Sequence, residues 1–76
     1  MRLHLGGQFS FYLPEHPHQV ELQLEKPVRL SEVLTVLGIP VAEVNLVTVN
    51  GELVNPQEVF VSQQDEIKLY PPVSGG

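Results

Sequence analysis

Only one stretch of this chain repeats its apolar residues at a helical period. Leu30, Val33, Leu34 and Leu37 fall at i, i+3, i+4 and i+7, which gives one apolar face on a short helix. Gly38 follows where a left-handed residue would end it. The start is less well marked, because Arg29 is a poor N-cap and Ser31 comes late. The β-branched Val33, Thr35 and Val36 lower intrinsic propensity, so burial must hold this helix. A helix this short with a single stripe has to lie across one face of a sheet.

The remaining segments supply that sheet. Met1, Leu3 and Leu5 alternate with Arg2 and His4, the period of a strand with one buried face, and Gly6-Gly7 ends it. From Gln8 to His18, Pro14 and Pro17 stop any ladder, so the stretch reads as a connection folded over one end of the core. Val20, Leu22 and Leu24 alternate with Gln19, Glu21, Gln23 and Glu25, a second strand antiparallel to the first. Pro40 to Glu43 is a single redirecting turn, and Leu46-Val47-Thr48-Val49 is a third strand. Asn50-Gly51 tolerates φ > 0 at both positions and predicts a type I′ hairpin returning through Glu52-Leu53-Val54. Asn55-Pro56 opens a loop from which Val59, Phe60 and Val61 pack inward. Gln63-Gln64-Asp65 is a turn, and Ile67 with Leu69 marks the last strand. The order is β-β-α-β-β-β, with first and last strands adjacent at the centre. This is an α+β fold of the β-grasp arrangement, one domain over residues 1–70 with an extended, flexible tail over 71–76.

Composition narrows the function. With 76 residues the chain makes one small domain, with no room for a deep pocket of its own. A net charge of -5 argues against nucleic acid, and Arg2, Lys26, Arg29 and Lys68 are too scattered to form a basic patch. The absence of cysteine removes disulfides and thiolate chemistry. No apolar run approaches the ~20 residues of a membrane span, and no secretory signal is visible after Met1, which points to the cytoplasm.

The chain ends Tyr70-Pro71-Pro72-Val73-Ser74-Gly75-Gly76. Paired terminal glycines arise by chance in about 0.5% of chains. They leave the carboxylate of Gly76 without flanking side chains, ready to be threaded into a narrow active site and reacted there. Each proline fixes φ and disfavours helix in the residue before it, so the lead-in is extended. Pro71 to Gly76 would reach roughly 20 Å from the body. Lys68 and Tyr70 alternate with Ile67 and Leu69 and so face away from the helix, and His4 shares that outer face if the first and last strands are neighbours. Tyr70, Lys68 and His4, with Pro71, Pro72, Val73, Ser74 and Gly75, are therefore the candidate partner-binding residues.

Other constellations carry less. His16-Pro17-His18, with Glu15 beside it and His4 earlier, presents too few imidazoles for zinc and reads as a solvated proline loop, so no metal is expected. Asp65-Glu66 are adjacent and point to opposite faces, which suits a turn residue and a surface charge better than an acid/base pair. Phe9, Phe11 and Tyr12 form either a partner patch or, the preferred reading, a cluster capping the core.

The whole length resembles the ThiS/MoaD family of ubiquitin-like sulfur carriers. The resemblance rests on Leu30 to Ile39 as the grasped helix and its exit, and on Val47-Thr48-Val49-Asn50-Gly51-Glu52 as the central hairpin. It rests also on Asp65 to Tyr70 as the turn into the last strand, and most of all on the tail. The Pro-Pro-Val-x-Gly-Gly form looks more like the small subunit of molybdopterin synthase than the thiamine sulfur carrier. The resemblance implies that an E1-like enzyme uses ATP to adenylate Gly76 and that a sulfur donor then displaces AMP to leave a thiocarboxylate. The large subunit of molybdopterin synthase, or thiazole synthase in the thiamine branch, would take the sulfur. The carrier would bind no cofactor itself. It departs from the family in Gln8 to Tyr12, which holds no charge where members often carry a basic residue. Two other classes stand beside this reading: a ubiquitin-like modifier joined to proteins through Gly76, and a passive β-grasp interaction module.

Overall fold

The computed structural model describes residues 1–15 and 18–70. Among these residues the seven strands are β1 (Arg2–Leu5), β2 (Gln19–Glu21), β3 (Val28–Arg29), β4 (Leu46–Val49), β5 (Glu52–Val54), β6 (Phe60–Val61) and β7 (Glu66–Tyr70), with one α-helix, α1 (Leu30–Val36), and two short 3-10 helices. Five strands form one mixed sheet in the order β2-β1-β7-β4-β5, and β3 pairs with β6 in a separate two-stranded ribbon. β1 and β7 run parallel side by side, and every other pairing is antiparallel. This is the expected β-grasp fold. The expected tail over 71–76 and the His16-Pro17 part of the proline loop lie outside the described residues.

The core is what the alternation dictates. Leu3 and Leu5 of β1, Ile67 and Leu69 of β7, Val47 of β4 and Val20 of β2 are buried on one face of the sheet. Leu30, Val33 and Leu34 of α1 are buried with them in the same cluster, while Leu37 is half-buried at the helix exit. Truncating such a side chain to alanine costs about 2–5 kcal/mol, a large part of the ~4–11 kcal/mol available to a domain of this size.

Local chemistry sets the ends of α1. Gly38 takes φ +81, its N–H donates to Thr35 O at 3.0 Å, and the N–H of Ile39 donates to Leu34 O at 2.9 Å. That pair of bonds is a Schellman cap, closed by the buried Leu34 and Ile39. Arg29 gives no side-chain cap at the other end. Instead Leu30 N–H donates to Val59 O and Ser31 N–H to Pro56 O, at 3.0 and 2.9 Å. The loop from Asn55 thus supplies the acceptors that the N-terminal turn lacks. Asn50 and Gly51 take φ 52 and 88, the signature of the expected type I′ turn.

Four expectations need correction or refinement. The second strand is shorter than the alternation through Leu24 suggests. Its pairing ends where Leu22 exchanges bonds with Met1, and the N–H of Leu24 turns to Gln63 Oε1 at 2.6 Å. Between β1 and the proline loop, the expected connection is itself partly regular, a 3-10 helix over Gly7–Tyr12. Only part of the aromatic cluster caps the core: Phe9 is fully buried and Tyr12 packs partly, but Phe11 is 81% exposed. Lastly, Phe60 points outward in β6, with the Arg29 guanidinium 5.1 Å from its ring centroid, a cation–π contact across the ribbon. The alternation of so short a strand sends only Val61 inward.

Candidate functional site

β7 is the central strand and ends at Tyr70, where the tail begins. Its pleat sends Ile67 and Leu69 under α1 and leaves Glu66, Lys68 and Tyr70 on the outer face. Register then fixes who stands beside them. His4 and Thr48 flank Lys68 on the two sides, and Leu53 lies opposite Thr48, so His4, Lys68, Thr48 and Leu53 form one row across four strands. In the next row, nearer the tail, Leu46 lies opposite Tyr70. Tyr70, Lys68 and His4 thus share one face at the root of the tail.

The face divides by chemistry. Towards β2 it is charged: Arg2 Nη2 lies 3.2 Å from Glu21 Oε1, and the Nε2–H of His4 donates to Glu66 Oε2 at 2.8 Å. That hydrogen bond is the main cause holding the Glu66 carboxyl below the ordinary carboxylate range. Towards β5 it is apolar: Leu46, Leu53 and Tyr70 are 40%, 66% and 38% exposed. Thr48 lies between them in register, buried, its Oγ1 without a hydrogen-bond partner among the described residues. An apolar patch edged by charge is the composition of a recognition surface.

Leu46, Thr48 and Leu53 were not picked out from the sequence, although a signal for them existed. A two-residue type I′ turn at Asn50-Gly51 forces Val49 opposite Glu52 and Thr48 opposite Leu53. Once β4 is placed against β7, the face of each residue follows.

Asp65 has a structural task. Asn50 Nδ2 donates to its Oδ1 at 2.9 Å, and the N–H and Oγ of Ser62 donate to its Oδ2 at 2.8 and 3.2 Å. The Asn50 bond first, and the Ser62 N–H next, hold Asp65 below the ordinary carboxylate range. Asn50 Oδ1 also accepts from Glu66 N–H at 3.0 Å, which ties the hairpin turn to the start of β7. Among the described residues no three His, Cys, Asp or Glu side chains converge as metal ligands. None of the described helices is long and apolar enough to cross a membrane.

A five-stranded mixed sheet grasping one helix defines a ubiquitin-like β-grasp domain. A model of the ThiS family matches residues 12–76, and the chain belongs to that family of ubiquitin-like sulfur carriers. Membership implies an activating enzyme of the E1-like class as a partner. No curated protein sequence matches the chain.

Proposed function

We propose that the chain carries sulfur as a thiocarboxylate on Gly76 and delivers it in molybdopterin biosynthesis. The observation that carries this reading is the continuity between the outer face and the tail. Tyr70 and Leu46 stand at the end of the central strand, and the next residues are Pro71-Pro72-Val73-Ser74-Gly75-Gly76. A partner gripping the face receives the tail directly.

The chemistry follows from the carboxylate. Carboxylate oxygen is a poor leaving group, so the E1-like partner first joins Gly76 to AMP from ATP, releasing pyrophosphate. A sulfur nucleophile from a donor then attacks the acyl carbon and AMP leaves with the bonding electrons. Glycine at positions 75 and 76 leaves that carbon open to approach. Pro71, Pro72, Val73 and Ser74 thread the enzyme's channel, while Tyr70, Lys68 and His4 bind outside it. The chain itself supplies the electrophile and the address, and its partners supply the catalytic groups. ATP is used by the activating enzyme, and the carrier holds no cofactor of its own.

The Pro-Pro-Val-x-Gly-Gly ending favours the molybdopterin branch over the thiamine branch. Thiocarboxylated protein would be offered separately to the large subunit of molybdopterin synthase with its pterin precursor and to thiazole synthase with its substrates. Sulfur transfer to the pterin alone supports the proposal. Transfer in thiazole synthesis alone replaces it with the thiamine reading. Attachment of Gly76 to protein lysines with neither transfer makes the chain a modifier.

A further inference from the structure

A groove lies between α1 and residues 22–24, which follow the outermost strand of the sheet, on the helix side of the sheet and so opposite the face that carries Lys68 and Tyr70. Leu22 and Leu24 form one wall, and Val28, Val36 and Leu37 lie across from them, around an open volume of about 690 Å³. Val36 is 86% exposed on the shoulder of the helix.

β2, which leads into that wall, is the end strand of the sheet among the described residues. Leu5 N–H donates to His18 O and Leu22 N–H donates to Met1 O, so residues 18, 20 and 22 turn their backbone groups towards β1. By the antiparallel pattern, the backbone groups of Gln19, Glu21 and Gln23 face away from the sheet. An open edge beside an apolar groove suits an added strand. Its main chain pairs with the edge and every second side chain enters the groove.

Charge indicates what kind of strand. Glu32 is the one charged residue lining the groove, and it makes no ion pair among the described residues. Glu25 and Lys26 stand exposed together just past Leu24 and offset each other, so Glu32 sets the sign of the groove, and the whole chain carries -5. A second copy would bring Glu32 and the same net charge of -5 against themselves. The chain's own ending offers no cation to meet Glu32 in residues 71–76.

We propose that this groove binds an extended, basic segment of a second protein, apolar at alternate positions, which adds to β2 as a further strand. Such a partner leaves Tyr70, Leu46 and Leu53 uncovered. The carrier can then be held at the groove while its tail is engaged elsewhere.

The test is an NMR titration of the isotopically labelled full chain with a short synthetic peptide alternating Val and Lys, and with its counterpart alternating Val and Glu. The proposal expects saturable shifts confined to residues 19–24 and 31–37, and affinity at least about tenfold higher for the Lys peptide. Glu32→Lys and Val36→Ser, both at exposed positions, should each weaken the Lys peptide several-fold while spectra elsewhere stay unchanged. Four results overturn it: no saturable shifts, shifts centred on Leu46, Leu53 and Tyr70, equal binding of the two peptides, or self-association through residues 19–24 in sedimentation.

Discussion

Leu53 offers the cleanest perturbation of the proposed docking face. It stands opposite Thr48 in β5, 66% exposed, so about two thirds of its side chain is still available for a partner to bury. Full burial of a leucine contributes about 1.5–3 kcal/mol, which leaves about 1–2 kcal/mol for the complex and about 0.5–1 for the fold. Leu53→Ala should therefore weaken binding to the E1-like activating enzyme by roughly 5–30-fold, at 1.4 kcal/mol per tenfold. Tyr70→Ala, at the root of the tail, should weaken it by more than tenfold if the ring is a hot spot of about 2 kcal/mol. Val36→Ala, at an exposed position across the molecule, should change nothing. Titration calorimetry with the activating enzyme reads the affinities, and a melting curve on each variant checks the fold. Unchanged affinity for both Leu53→Ala and Tyr70→Ala in folded protein would refute the assignment of this face. So would equal losses in the Val36→Ala control.

Three further perturbations test the physical reading of the fold. Gly38→Ala puts a side chain at φ +81, where an added Cβ meets nothing within 4 Å, so only backbone strain acts. The expected loss is about 1–2 kcal/mol, read as a melting temperature lowered by about 4–8 °C per kcal/mol. Thr48→Val removes a buried hydroxyl that has no partner among the described residues and should raise stability by about 1 kcal/mol in denaturant titration. Asp65 is held below its ordinary value of about 3.9, so it stabilises the fold above that pH and loses the contribution as pH falls through its lower folded value. Asn50→Ala removes the largest cause, so the Asp65 midpoint in a carboxyl NMR titration should rise and stability should depend less steeply on pH below about 4.

The parts of the fold governed by periodicity were legible in the chain. The helical stripe from Leu30, the strand alternation of Leu3 with Leu5 and of Ile67 with Leu69, and the turn at Asn50-Gly51 all state their burial or backbone angles locally. What escaped depends on partners distant in sequence. Val28 and Arg29 form a strand only because Phe60 and Val61 come alongside. The same ribbon brings in the loop whose carbonyls at Pro56 and Val59 cap α1, a role no residue near Arg29 advertises. Residues 22–24 keep a strand's alternation yet leave the ladder after the Leu22–Met1 bonds, where the distant Gln63 takes the N–H of Leu24. The site divides the same way. Tyr70, Lys68 and His4 followed from alternation on two neighbouring strands, whereas Leu46 and Leu53 needed the register of β4 and β5.

The central claim is that Gly76 is the reacting group, and intact mass measures it most directly. Full-length chain is incubated with its E1-like enzyme, ATP and a sulfur source, then weighed beside a variant lacking Gly76. The account predicts a gain of about 16 Da on the full chain, one oxygen exchanged for sulfur through the adenylate, and no gain on the shortened one. An unchanged mass on the full chain with a competent activating enzyme, or the same gain on both, would contradict it.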